Sequence, residues 1–135
     1  MWYNNKRTYR KGGEPVKLME SGQMYLETIY VLAKEKPAVP SIDVSEHMGY
    51  SKPSVSRAIS LLRSGGYVEM AVDGALTLTP DGVAVAEKIY ERHTILTAFL
   101  TRLGVDPAVA AEDACKMEHD ISDESLAALK RFVES

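Results

Sequence analysis

Along most of the chain the apolar residues recur at helical spacing. Leu26, Ile29, Tyr30 and Ala33 define one face of a helix over residues 21–36, with Ser21 as its cap and Pro37 as its stop. A short second helix over residues 41–48 is capped by Ser41 and ended by Gly49. A third begins at Ser51, carries Pro53 in its first turn, points Val55, Ile59 and Leu62 inward, and stops at Gly65-Gly66. The period then changes. Residues 67–72 and 75–79 are strand-like and flank Asp73-Gly74, a strong two-residue hairpin signal. Thr79-Pro80-Asp81 opens a long helix running to Leu103, where Gly104 ends it. Asp106-Pro107 opens the next, through His119 or Ile121, with Ala110, Ala114, Met117 and Ile121 as its apolar stripe, so that Met117 is expected in the core. Ser122-Asp123-Glu124 opens the last, through about residue 133. Helix, short helix, helix, hairpin is the order of a winged helix-turn-helix, with Gly49-Tyr50 as the turn. The expected class is therefore mainly α: an N-terminal winged helix-turn-helix with a two-stranded wing, then a helical domain.

Charge adds a division that net charge hides. Residues 1–65 carry ten Lys/Arg against six Asp/Glu, and residues 66–135 six against thirteen, so +4 and −7 sum to the net −3. The basic half suits a polyanion and the acidic half suits cations, although solvated surfaces also cluster charge by chance. Residues 1–19 read as a basic arm, with Lys6, Arg7, Arg10, Lys11 and Lys17 interrupted by Gly12-Gly13 and Pro15. Domains are expected over 20–79 and 80–135. No apolar run is long enough to span a bilayer and the start lacks an apolar signal core, so a cytoplasmic protein is expected.

The third helix carries the features of a recognition helix. Ser51, Lys52, Pro53, Ser54, Ser56 and Arg57 lie outward near its N-terminus. Small residues let the backbone approach base edges, hydroxyls and the helix end suit phosphate, and Arg57 reaches a guanine edge or a phosphate. An ordinary Ser-rich amphipathic surface has the same composition. The hairpin that follows favours double-stranded DNA.

The segment "CKMEHD" contains the sole cysteine. Cys115, Glu118 and His119 fall at i, i+3 and i+4, so they share a flank of one helix. Thiolate, carboxylate and imidazole together bind transition metals and disfavour Mg or Ca. Spacing alone leaves two readings open, a metal site and the polar edge of a helix.

The runs "MYLETIYVL", "SKPSVSRAISLLRSGGYV", "LTLTPDGVAVAEKIYERHTIL" and "CKMEHDISDE", in this order of elements, resemble the diphtheria toxin repressor family of iron- and manganese-dependent transcriptional repressors. The resemblance runs from about residue 24 to residue 133. It implies a winged-helix DNA-binding domain, an α-helical dimerisation domain and a metal bound where the two meet. It leaves no residues after 135 for the SH3-like third domain of longer members, so a short two-domain member is expected. Met24 matches the first-helix ligand, methionine in the iron-type branch and aspartate in the manganese-type. Cys115, Glu118 and His119 match the later ligands, with cysteine again the iron-type choice. His93 in "ERHTIL" matches a histidine ligand of both branches, and it shares an apolar face with Ile89, Leu96 and Leu100. Glu27 matches a glutamate that binds metal only in the manganese type. Thr97 and Ala111 stand where an iron-type ancillary site would place a glutamate and a second histidine. Asp120 follows His119 with no role implied.

The function expected is a homodimeric repressor whose operator binding is activated by Fe(II), with Mn(II) as the alternative and Co(II), Ni(II) or Zn(II) as ions that bind in vitro. No membrane partner, small-molecule substrate or enzymatic activity is expected. The alternative is a metal-independent winged-helix regulator sensing oxidants through Cys115. A metallohydrolase using Glu118 as base is disfavoured, since there is no His-Glu-x-x-His run and the acids of the cluster are needed as ligands. A helical adaptor that only dimerises would not need Arg57.

Overall fold

The structure, a computed structural model, describes residues 20–135, so the basic arm expected over residues 1–19 lies outside the described residues. The chain divides into two compact units, the first ending at Glu87 and the second running over Lys88–Ser135. Among the described residues no helix is long and apolar enough to cross a membrane.

The first unit contains α1 (Glu20–Leu32), β1 (Val39–Pro40), α2 (Ser41–Met48), α3 (Lys52–Ser64), β2 (Val68–Met70), β3 (Ala75–Leu78) and the first two turns of α4 (Pro80–Arg102). Its core joins Leu26 and Ile29 of α1 to Val44 of α2, to Ile59 and Leu62 of α3, and to Leu76 of β3, all fully buried. Burial of one such side chain stabilises by roughly 1.5–3 kcal/mol, which ties the helices to the wing rather than to one another alone. Gly49 makes the helix-turn-helix bend. Its φ of 72° lies in the left-handed region, and its N–H closes α2 on the Ser45 carbonyl. Ser45 Oγ then donates to the Tyr50 carbonyl at 2.6 Å, which fixes the entry to α3.

The wing is present, and it differs from expectation in two ways. The strands are shorter, because the turn takes residues 71–74 rather than Asp73-Gly74 alone. Ala71 and Ala75 close it through Ala71 N–H to Ala75 O at 2.8 Å, and Asp73 Oδ1 accepts from Ala75 N–H at 3.0 Å. A third strand also joins, giving the antiparallel order β1-β3-β2 with Val39 opposite Leu76 and Met70 opposite Leu76 on the other side. Because residues 39–40 are paired as a strand, Pro40 takes the N-cap position of α2 and Ser41 is its first helical residue, not its cap.

Thr79 connects wing and helix. Its Oγ1 donates to Gly66 O at 2.6 Å and accepts from Gly82 N–H at 3.1 Å, while its own N–H meets Tyr67 O at 3.1 Å. Gly82 packs so closely here that a Cβ would lie 2.1 Å from the Tyr67 carbonyl oxygen.

The second unit contains the rest of α4, α5 (Pro107–Met117) and α6 (Asp123–Glu134). Asp106 and Ser122 cap α5 and α6 through their side-chain oxygens. Ile89 and Leu96 of α4 are buried, as are Ala110 and Ala114 of α5 and Leu126 of α6. Phe99 and Phe132 meet edge to face at 5.7 Å, and the Arg102 guanidinium lies 4.6 Å from the Phe132 ring while donating to the Phe132 carbonyl. The apolar stripe of α5 stops earlier than expected. The helix ends at Met117, and Met117 is exposed rather than core.

Candidate metal centre

Three of the expected ligands converge within the second unit. His93 comes from the middle of α4. Cys115 comes from the last turn of α5 and Glu118 from its C-cap position. Cys115 Sγ lies 3.7 Å from His93 Nδ1, and His93 Nδ1 lies 3.5 Å from Glu118 Oε2. The donor atoms of all three fall within 4.8 Å of one another. That spacing suits one ion with Zn–N-like and Zn–S-like bonds of roughly 2.0–2.3 Å to each donor. Burial pushes the His93 pKa below its usual value, favouring the neutral imidazole that ligates metals.

Glu118 is the least expected feature. The carboxyl group is only 1% exposed, so the site runs from the exposed Cys115 thiol, past the half-buried His93, to a carboxylate under the surface. Its second oxygen, Oε1, lies 3.8 Å from His119 Nε2, and the His119 side chain is itself 2% exposed. His119 therefore stands on the far side of the same carboxylate, in the turn just past the helix, and outside the three-residue group. The i, i+3, i+4 flank inferred for one continuous helix is replaced by a helix end, which aims Cys115 and Glu118 at His93 and turns His119 to the other oxygen. The donor set of nitrogen, sulfur and carboxylate oxygen fits a borderline transition metal and does not fit Mg or Ca.

Met24 and Glu27 lie in the first unit, three residues apart on α1, and both are half-buried. The expected DNA contacts also lie in that unit. Ser51 caps α3 by accepting from Ser54 N–H at 3.3 Å, and Ser51 Oγ donates to Ser54 Oγ at 3.0 Å. Lys52, Pro53, Ser54, Ser56 and Arg57 are all exposed, whereas Val55, Ala58, Ile59 and Leu62 turn inward. The helix thus presents one polar and one apolar face.

Sequence reasoning missed Arg92. It is buried at 7% exposure, deeper than its neighbour His93. A signal was present: Ile89, Arg92 and Leu96 fall at i, i+3 and i+7, which places a guanidinium in the apolar stripe.

Comparison with known proteins agrees with this geometry. Residues 17–76 match the family model described as the iron dependent repressor N-terminal DNA binding domain. Residues 79–135 match the iron dependent repressor metal binding and dimerisation domain. The transcriptional regulator MntR of Salmonella typhimurium is 36% identical over 110 residues, covering 82% of this chain and 70% of that protein. The diphtheria toxin repressor of Corynebacterium efficiens is 32% identical over 108 residues, covering 79% of this chain and 47% of that protein. A solved manganese-dependent transcriptional repressor in complex with manganese superposes with a TM-score of 0.76 at 30% identity, over 84% of this chain and 52% of that one. The chain thus spans about half the length of such solved structures. With a DNA-binding domain, a metal-binding and dimerisation domain and a relative of this identity, the chain belongs to the diphtheria toxin repressor family of metal-dependent transcriptional repressors.

Proposed function

We propose that this chain is a cytoplasmic, homodimeric repressor whose binding to operator DNA is switched on by Fe(II), with Mn(II) as the second choice. The observation that carries the reading is the convergence of His93, Cys115 and Glu118 donors within 4.8 Å. It occurs in the segment matched by a metal binding and dimerisation domain. In this reading Met24, Glu27 and His119 join them as ligands. Sulfur from Cys115 and Met24 favours Fe(II) over the harder Mn(II), and Glu27 keeps Mn(II) in contention. An ion held by ligands of both domains couples the DNA-binding domain to the dimer. It would hold two recognition helices near one DNA turn apart, about 34 Å. Ser51, Lys52, Pro53, Ser54, Ser56 and Arg57 are then the DNA-facing residues. Linkage requires operator DNA to tighten metal binding by the same factor as metal tightens DNA binding.

The test is an anaerobic titration of Fe(II) and Mn(II), reading stoichiometry and affinity for an operator selected from a random DNA pool. Metal-dependent operator binding that is lost in Cys115→Ala and in His119→Ala, with the dimer intact, is the expected result. Operator affinity indifferent to metal and sensitive to peroxide would instead assign the chain as an oxidant sensor acting through Cys115.

A further inference from the structure

We propose that Arg92 is a positioning residue for the metal centre, holding the backbone of Glu118 while His93, the next residue of α4, meets the Glu118 side chain. This rests on the metal reading above and names what organises that site.

A buried guanidinium is costly unless its N–H groups are paired. Arg92 places its two Nη groups on the segment that joins α5 to α6, while its Nε is buried without a hydrogen-bond partner among the described residues. Nη1 donates to the Glu118 carbonyl at 3.0 Å and also to the Ile121 carbonyl, and Nη2 donates to Asp123 Oδ1. These partners span the six residues that leave α5 and enter α6. A helix C-terminus leaves its last carbonyls without intrahelical partners. Here α5 stops at Met117, and the carbonyl of the next residue, Glu118, is taken by a side chain 26 positions earlier in the chain. Lys88 adds a second cation on Asp123 at 3.4 Å, so both ends of the turn are tied to α4.

The consequence is geometric. Arg92 and His93 are consecutive on one rigid helix. The first fixes where Glu118 sits, and the second contributes a ligand atom 3.5 Å from the Glu118 carboxylate. Metal sites tolerate ligand displacements of roughly 0.2 Å. A turn released from Arg92 would move Glu118 and His119 by more than that, with Cys115 still held on α5. Lysine cannot replace the fork, because one ammonium is a point donor and the two carbonyls and the carboxylate need a planar one.

Arg92→Lys, which keeps the charge and the apolar stem, is made in the full chain. Co(II) is titrated anaerobically, reading the thiolate-to-cobalt charge-transfer band and the ligand-field bands. Thermal unfolding of the metal-free protein is read alongside. The expected result is a Co(II) affinity roughly 10–100-fold weaker, as for other groups that orient metal ligands. The ligand-field bands of the saturated variant should shift, and operator binding should recover at saturating cobalt. Asp123→Asn, at an exposed side chain, removes the charge that Arg92 Nη2 and Lys88 both meet but leaves the two Nη1 bonds, and should weaken Co(II) binding less than Arg92→Lys. It also serves where Arg92→Lys does not fold, since any loss of affinity with shifted bands then supports the inference and a wild-type titration overturns it. Folded Arg92→Lys with wild-type affinity and bands overturns it equally, whatever its thermal stability. A wild-type chain that binds no Co(II) fails the metal reading itself, an outcome distinct from either.

Discussion

Cys115→Ala separates ligation from packing more cleanly than any other substitution at the site. Cys115 is exposed, so removing its thiol takes little from the folded core. Exposed substitutions usually stay within about 0.5 kcal/mol. The metal increment is larger. A ligand that binds only the folded chain stabilises it by about 2.7 kcal/mol when present at 100 times its Kd. If loss of the thiolate weakens affinity by a factor of roughly 100, the same metal concentration then sits at the Kd and the increment falls to about 0.4 kcal/mol. Near this chain length 1 kcal/mol corresponds to roughly 4 °C in Tm. The metal-induced rise should therefore shrink from roughly 11 °C to roughly 2 °C, while the metal-free Tm moves by no more than roughly 2 °C. The assay is anaerobic thermal unfolding with and without Fe(II) or Mn(II), at one protein concentration so that dimerisation contributes equally. Glu118→Ala is the poorer choice, because its side chain is 1% exposed and both quantities would move at once. A Cys115→Ala chain that keeps more than half of the metal increment would refute the thiol as a ligand. A large fall in the metal-free Tm would refute the premise that Cys115 contributes little to packing.

Arg57→Ala, at an exposed position of α3, should weaken operator binding by about 1–3 kcal/mol with relaxed preference at one base pair; a competition series over mutated operators checks it, and a uniform loss on every sequence makes Arg57 a phosphate contact. Gly82→Ala should destabilise the first unit by about 1–3 kcal/mol, because its Cβ would stand 2.1 Å from the Tyr67 carbonyl oxygen, which is backbone and cannot swing away; denaturant unfolding at unchanged m-value reads the loss. Asp123 contributes to acid stability. The hydrogen bond from Arg92, then the charge of Lys88, holds its carboxyl below the usual value of 3.8. The folded form therefore binds its proton less readily than the unfolded chain. That contribution is fully present above the ordinary carboxylate range and is lost as pH falls through the lowered value. Metal-free Asp123→Asn should show a shallower loss of stability than wild type between about pH 5 and pH 3, measured by denaturant unfolding at each pH.

Most parts of this fold that are local in origin were legible, although Ser21 and Ser41, expected as caps, both lie inside their helices. Ser51, Thr79, Asp106 and Ser122 each accept from a helical N–H, as their positions before Pro or acidic first turns imply. Gly49 at the bend and the inward set Val55, Ile59 and Leu62 follow from period and turn chemistry. What was not legible depends on distant residues. β1 is two residues long, and its pairing of Val39 with Leu76 carries no pattern of its own. The periodicity of α5 continues through Ile121, yet the helix stops at Met117, where the exit segment is bonded instead to Arg92 of α4. Met117 is exposed for the same reason, since the stripe it would have continued is not helical beyond it. At the candidate site, the residue types of His93, Cys115 and Glu118 could be picked out, but their meeting depends on α4 packing against α5, which no spacing within "CKMEHD" encodes.

The position of the candidate ligands at the end of α5 has a physical consequence for how the proposed centre would respond. Inside a helix, Glu118 and His119 would be held by the i to i−4 ladder, and their side chains would diverge at roughly 100° per residue. Past the helix end, Glu118 still bonds Ala114 O through its N–H, while Asp120 closes a tighter i to i−3 turn on Met117 O, which Ile121 shares at 3.3 Å. This turn carries both a fully buried carboxylate and a buried imidazole, two groups that an apolar packing arrangement would exclude. Helix ends lie toward the low-stability side of a fold, where local opening costs less than global unfolding. A site assembled there, on a turn tied to α4 through Arg92 and Lys88, can gain order when an ion supplies bonds to Glu118 and its neighbours and lose it when the ion leaves. A ligand set placed in mid-helix would stay ordered in both states and would have little to transmit.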